Sequence, residues 1–257
     1  MIHPSAIVYP GAQIDIDVEV GPHAIIGENV KIGKGTKIGP SAVIQGWTEI
    51  GEDNHIFHLC SVGAIPQDLK YKGEKTYLRI GNRNIIREFA TIHLGTVTGD
   101  GETTIGDNNL FMAYSHVAHD CHIGSNVVMA NGATLAGHIT VEDYAILGGL
   151  SAIHQFVRIG THVMVGGGAM VGQDIPPYTV ASGEDRATLH GLNLVGLKRR
   201  GYSDEIIKEI KRAYKILVRS NLRVEEALDR IRNEIPLSPE IAHFVEFVEK
   251  SERGICR

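Results

Sequence analysis

Residues 25–44 read IIGENVKIGKGTKIGPSAVI, and in this run Ile26, Ile32, Ile38 and Ile44 stand six residues apart. The frame extends back through Val20, Ile14 and Val8 to Ile2, and forward through Ile50 and Ile56 to Val62. It resumes at Ile80, Ile86 and Ile92. It resumes again at Ile105 and continues through Phe111, Val117, Ile123, Met129, Leu135, Val141, Leu147, Ile153, Ile159 and Val165 to Val171. A fixed period of six is the mark of a parallel β-helix. The residue four after the aliphatic one is mostly small, as at Ala24, Val30, Thr36, Ala42 and Cys60. A glycine often follows the aliphatic residue directly, as at Gly21, Gly27, Gly33, Gly39 and Gly51, where it is expected to allow a corner too tight for a Cβ. Each hexad is then a short strand plus a corner, and three hexads close a triangular coil. Coils stacked about 4.8 Å apart bury their aliphatic residues only against one another.

The frame ends near Pro176-Pro177, and the pattern then becomes helical. Ile206, Ile207, Ile210, Tyr214, Leu217 and Val218 form a 3.6-residue stripe behind Ser203 as N-cap. Val224, Ala227, Leu228 and Ile231 predict a second helix. Ile241, Phe244, Val245 and Val248, after Pro239, predict a third. The expected organisation is a mainly β solenoid over residues 1–183, interrupted by loops at 68–79 and 98–104, and an α-helical domain over 184–257.

With 257 residues and 30 glycines, the chain suits a corner-rich solenoid. No apolar run is long enough for a membrane span, and no leader precedes the first repeat, so a cytoplasmic protein is expected. Cys60 and Cys121 fall on inward positions, and with Cys256 they show neither disulfide nor metal spacing. A net charge of −5 argues against general nucleic-acid binding. It leaves room for a local basic patch at Lys198, Arg199, Arg200 and Arg212, which also reads as an ordinary solvated face.

The frame sorts the thirteen histidines. Hexads starting at 117, 135 and 153 lie three hexads apart, hence on one face. They carry His119 and Asp120, then His138, then His154 and Gln155. Discounting the insertions puts the hexads at 62 and 92 on the same face. Both loops, and His93, therefore belong beside that histidine column, where a rigid scaffold commonly builds a site. The densest chemistry is His116-Val117-Ala118-His119-Asp120-Cys121-His122. Two chemistries could use it. A neutral imidazole can act as general base with a carboxylate orienting it. Alternatively, imidazoles could hold zinc, as in β-helical carbonic anhydrases, although residues stacked on one face do not converge tetrahedrally. A non-enzymatic scaffold would have no reason to cluster histidines beside two loops.

The strings Pro66-Gln67-Asp68-Leu69-Lys70-Tyr71, Thr91-Ile92-His93, His116 to Cys121, Leu135-Ala136-Gly137-His138, Ile153-His154-Gln155-Phe156, Gln173-Asp174-Ile175-Pro176-Pro177-Tyr178, and Gly191-Leu192-Asn193 with Gly196 to Gly201 together resemble the UDP-N-acetylglucosamine O-acyltransferases of lipid A biosynthesis. The resemblance covers nearly the whole chain. It implies a left-handed coil, a homotrimer with sites between subunits, and transfer of a 3-hydroxyacyl group from acyl carrier protein to the glucosamine 3-hydroxyl. It implies no cofactor beyond the phosphopantetheine that carries the acyl chain. It makes His119 the base, Asp120 its orienting partner and the Gly137 N–H the oxyanion donor. Gln67, Asp68, Lys70, His93, His116, His138, His154, Gln155, Asn193, Arg199 and Arg200 would bind substrate, and Gly167 would set acyl-chain length, its lack of a side chain admitting a long chain such as 3-hydroxymyristoyl. The acidic carrier would dock on Lys198, Arg199, Arg200 and Arg212, with a salt-dependent rate. Val195 stands where members carry a glutamate, and Gly183-Glu184-Asp185-Arg186-Ala187 departs from their commoner pattern, so the resemblance does not extend to nucleotide and carrier contacts at those points. A 3-amino sugar acceptor stays open. The related N-acyltransferases carry an added N-terminal domain, for which a frame starting at Ile2 leaves no room.

Overall fold

The structure is a computed structural model describing residues 1–257. Its body is a left-handed parallel β-helix with three sheets, and each sheet pairs every third strand in the chain. The first sheet runs in nine strands from Ile7–Val8 to Met170–Val171, and the second in eight from Gln13–Ile14 to Arg158–Ile159. The third begins at Glu19–Val20 and ends with Thr179–Ser182 and the antiparallel Thr188–Leu192. The six-residue aliphatic positions fill one continuous core, joined by Cys60, Cys121 and Cys256, all unpaired and buried. Ile2 is the outlier: half-exposed, it makes only an isolated bridge to Val20.

The corners differ from the sequence reading. Gly21, Gly27, Gly33, Gly39 and Gly51 do not adopt a left-handed backbone; they lie against the next coil. A Cβ on Gly39 would come within 2.6 Å of the His58 amide nitrogen, and one on Gly33 within 2.8 Å of the Gly51 carbonyl. The left-handed corner falls two residues later. Apart from Asn221, every non-glycine residue with positive φ, including Leu59, Asp120 and His138, stands three residues after an inward aliphatic residue. This conformation costs a side-chain-bearing residue about 1–2 kcal/mol, and stacking of successive coils compensates. Phe89 lies on Tyr114 with ring centroids 4.9 Å apart, His138 on Phe156 at 4.6 Å, and Tyr144 on His162 at 4.8 Å.

The core also contains an internal amide ladder, which an aliphatic frame does not signal. Asn54, Asn84 and Asn109 occupy the small-residue position of the second-to-third-sheet corner, fully buried. Asn84 and Asn109 each donate a backbone N–H to the asparagine one coil below, Asn54 donates its own to the Thr36 hydroxyl, and the Asn109 amide also donates to the Gly124 carbonyl. Hydrogen bonds of this kind offset the desolvation cost of buried polar groups.

Both insertions leave from the first sheet, as the frame required, but with shifted limits. Tyr77–Ile80 and Glu102–Ile105 are strands of the second sheet, so the loops occupy 65–76 and 94–101. The sheet likewise continues past the expected boundary at Gly183, because the chain turns back in a hairpin and pairs to Leu192. Four helices follow: α1 (Leu194–Arg199), α2 (Asp204–Arg219), α3 (Val224–Glu234) and α4 (Pro239–Glu249). Ser203 caps α2 by accepting from the Ile206 N–H, and Pro239 starts α4 where no donor is lost.

The helices pack on the upper coils through Arg158, whose guanidinium lies over the Phe247 ring, and through His243, whose Nε2 donates to Glu142 Oε2 at 2.7 Å. The Glu142 hydrogen bond raises the His243 pKa above 6.5 against the opposing effect of burial. A raised folded-state pKa stabilises fully below the unfolded value and loses its contribution as pH rises through the folded value. The wild type should therefore lose thermal stability as pH rises from 6.5, and His243→Gln should flatten that dependence in melts across pH 6–9. An unchanged slope would remove the pair from the stability of this contact.

Candidate active site

Every element of the site follows from one corner, between the first and second sheets. Val117, Leu135 and Ile153 point inward on successive coils, and the corner residues after each stack one above another. His119 and His138 meet edge-to-face with centroids 5.0 Å apart. His119 Nδ1 donates to Asp120 Oδ2 at 2.7 Å, while its Nε2 makes no hydrogen bond within the chain. Asp120 is buried, and its carboxylate also accepts from the Thr96 N–H (2.8 Å) and the Thr96 hydroxyl (2.6 Å). Burial alone would raise its pKa, but the donors from His119 and Thr96 outweigh burial and hold it below the usual carboxylate value. An ionised Asp120 fixes His119 in the tautomer whose Nε2 can take a proton.

Gly137 lies flat on the His119 ring: a Cβ would stand 2.5 Å from Cε1 and 2.8 Å from Nε2. Gly137 is buried and its N–H donates to no protein group. At the second-to-third-sheet corner the equivalent N–H groups of Glu52, Asn82, Asp107 and Ser125 are each capped by a side chain of the next coil. The uncapped N–H beside an imidazole is what an oxyanion requires.

The family model described as UDP N-acetylglucosamine O-acyltransferase, domain 2, matches residues 174–256, and the bacterial transferase hexapeptide model (six repeats) matches 102–137. The acyl-(acyl-carrier-protein)–UDP-N-acetylglucosamine O-acyltransferase of Thermodesulfovibrio yellowstonii is 58% identical over 256 residues, covering 100% of this chain and 99% of its own. The chain belongs to the UDP-N-acetylglucosamine O-acyltransferase family. The Burkholderia orbicola relative is 52% identical over 260 residues at the same coverage. The solved acyltransferase of Bacteroides fragilis superposes with TM-score 0.97 at 45% identity and that of Arabidopsis with 0.88 at 39%, each covering 100% of both chains.

In this family member the other expected residues fall into four groups. His154 and Gln155 are exposed at the His119 corner, with Gln67, Asp68 and Lys70 on the first insertion beside it; Asp68 Oδ1 turns back to accept from the Lys70 N–H. His116 faces outward from the first sheet, its Nδ1 2.7 Å from the Thr91 hydroxyl. His93 lies beneath it rather than on the wall: it is 4% exposed, its Nδ1 has no partner, and burial with the neighbouring imidazoles lowers its pKa to about 4.

Asn193, Lys198, Arg199 and Arg200 stand at a different corner, between the second and third sheets. The Asn193 amide caps α1 through the Gly196 N–H and donates to the His162 carbonyl, so it also serves the fold. Arg200 lies over the Tyr144 ring, Lys198 and Arg199 are exposed, and Arg212 donates to the Glu234 carbonyl at the end of α3. Gly167 is at the third corner, where an added Cβ would meet only the Gly149 carbonyl at 3.3 Å. Val195 is exposed.

Donor atoms of His119, Asp120 and His138 lie within 4.8 Å of one another, a spacing open to a metal. The hydrogen bonds speak for the dyad instead. His119 Nδ1 is a donor to Asp120, and Oδ2 already takes the Thr96 hydroxyl, so a cation bound through these two atoms would displace both hydrogen bonds. Sequence reasoning did not single out Thr96; the available signal was that a carboxylate buried at an insertion point needs donors from that insertion.

Proposed function

We propose that this protein moves a 3-hydroxyacyl chain from acyl carrier protein to the glucosamine 3-hydroxyl of UDP-N-acetylglucosamine. The observation that carries the reading is the His119–Asp120 pair, with a free Nε2 beside the uncapped Gly137 N–H. His119 Nε2 takes the sugar hydroxyl proton as the oxygen attacks the thioester carbonyl. The Gly137 N–H holds the resulting oxyanion. Collapse expels the phosphopantetheine thiolate, which recovers the proton from the imidazolium. A cytoplasmic setting belongs to the same reading, and no helix is long and apolar enough to cross a membrane.

Surface chemistry supports a trimer. The second sheet faces water with a Lys31–Glu49–Arg79–Glu102 ladder of ion pairs. The third sheet instead exposes Ile85, Ile146 and Met164, the first exposes Met170, and the corner between these two sheets carries Leu59, Phe89, Tyr114 and Leu150. Such a wedge of apolar surface fits a threefold axis along that corner, with the third sheet of one subunit facing the first sheet of the next. The His119 corner of one subunit then faces the Arg199 corner of its neighbour. Mixing His119→Ala with Arg199→Ala subunits should rebuild one intact site per mixed trimer and restore partial turnover. No recovery in mixed trimers would overturn the shared site.

Gly167 stands one sheet away from His119, and Thr134, Ala152 and Met170 face outward between them, a path an acyl chain could follow. A panel of acyl-carrier chain lengths, against both 3-hydroxy and 3-amino sugar nucleotides, should show preference for the 3-hydroxy acceptor and a long chain. Gly167→Met should move the optimum to shorter chains. A short-chain optimum in the wild type, or preference for the amino sugar, would reject this assignment.

A further inference from the structure

The second insertion does more than border the cleft: it closes around Asp120 from both sides. Thr96, 2% exposed, gives its N–H to Asp120 Oδ1 and its hydroxyl to Oδ2. Thr103, in the strand that follows the loop and fully buried, accepts the Asp120 backbone N–H on its hydroxyl at 2.9 Å. Between them Gly99 lies on the carboxylate so closely that a Cβ would stand 2.4 Å from Asp120 Cγ. The loop is tied to itself as well. The Thr96 carbonyl accepts from the Gly99 and Gly101 N–H groups at 3.1 and 3.0 Å, and the Thr98 hydroxyl sits 3.0 Å from that of Thr96.

We infer that Thr96 is a positioning residue for the acyl transfer, acting with Thr103 to clamp Asp120 so that His119 is presented in one orientation and one tautomer. The inference rests on His119 being the general base. Asp120 sits in a left-handed corner, φ 56°, where its side chain gains no support from a regular strand. Only the insertion supplies donors to the carboxylate oxygen that His119 does not use. By sharing Oδ2 with His119, the Thr96 hydroxyl sets the angle at which the imidazole can bind. It also spreads the carboxylate charge over a second donor, so the proton taken by His119 stays on the imidazole. A hydrogen bond to a charged group carries more free energy than a neutral one, so its loss should be visible in turnover.

The test is steady-state kinetics on the full-length protein with acyl carrier protein substrate, for Thr96→Val, Thr96→Ser, His119→Ala and the double variant Thr96→Val/His119→Ala. Thr96→Val keeps the backbone donor and the side-chain shape but loses the hydroxyl. We expect kcat to fall about tenfold or more, with KM for both substrates nearly unchanged. Thr96→Ser should recover most of the rate. In the His119→Ala background, Thr96→Val should cost little further, because its effect passes through the imidazole. Thermal melts of each variant accompany the rates. Near-normal kcat in Thr96→Val, or an equal loss with and without His119, would overturn the positioning role. So would failure of serine to rescue a Thr96 variant that still melts like the wild type. If His119→Ala itself stays active, the general-base reading fails instead, and the two failures are separable.

Discussion

His119→Ala should lower kcat by about 10²–10⁴, the range that a positioned general base supplies, with KM and the oligomeric state little changed. The reason for a clean kinetic effect lies in the hydrogen bonds. Removing the imidazole does not orphan Asp120, whose carboxylate keeps both donors from Thr96. Nor does it open the core, since the six-residue aliphatic positions that build the core exclude His119. His138 gives up its edge-to-face packing on the imidazole but retains its stacking on Phe156. The measurement is steady-state kinetics with a sizing column in parallel. Near-normal kcat would make the imidazole dispensable and end the general-base assignment. A change of oligomeric state from the wild type would show that the side chain holds structure rather than chemistry.

Much of this architecture follows from the period of six, because an aliphatic residue that must face inward on every strand leaves a solenoid as the only packing. The frame also counts through both insertions correctly: the strands at Ser61–Ala64, Thr91–His93 and His116–Val117 pair directly, as required to place His93, His116 and His119 along one face. What a one-dimensional frame lacks is depth and direction. It puts His93 on the face of the site, while that ring is packed under His116 and its environment favours the neutral form. It also treats the glycine after the aliphatic residue as the turn, although the turn is carried two positions later by residues such as Leu59 and Tyr114. Their left-handed backbone is visible only once the coils stack. The insertion limits slip for a related reason. Tyr77 and Glu102 look like loop residues in isolation, and become strand residues because Tyr77 pairs with Trp47 on one adjacent coil and with Glu102 on the other. The Thr96 contacts are out of reach altogether, since irregular loops have no period from which to compute a direction.

Gly137→Ala is expected to be as damaging as loss of the base, for a different reason. A methyl group there would stand 2.5 Å from Cε1 of His119, closer than real Cβ contacts permit, and the ring cannot simply retreat. It is held by Asp120 on one side and packed edge-on against His138 on the other. Either the His119–Asp120 hydrogen bond breaks or the Gly137 backbone shifts and its N–H leaves the oxyanion position. Loss of one oxyanion donor alone costs about 10²–10³ in kcat, and overpacking adds a stability penalty of roughly 1–3 kcal/mol. The two effects separate in the double variant Gly137→Ala/His119→Ala. Without the imidazole the methyl group has room, so the melting temperature should return toward that of His119→Ala, while turnover stays at the floor. If Gly137→Ala alone leaves both kcat and the melting temperature unchanged, the glycine is not held against the ring, and the oxyanion assignment loses the geometry on which it stands.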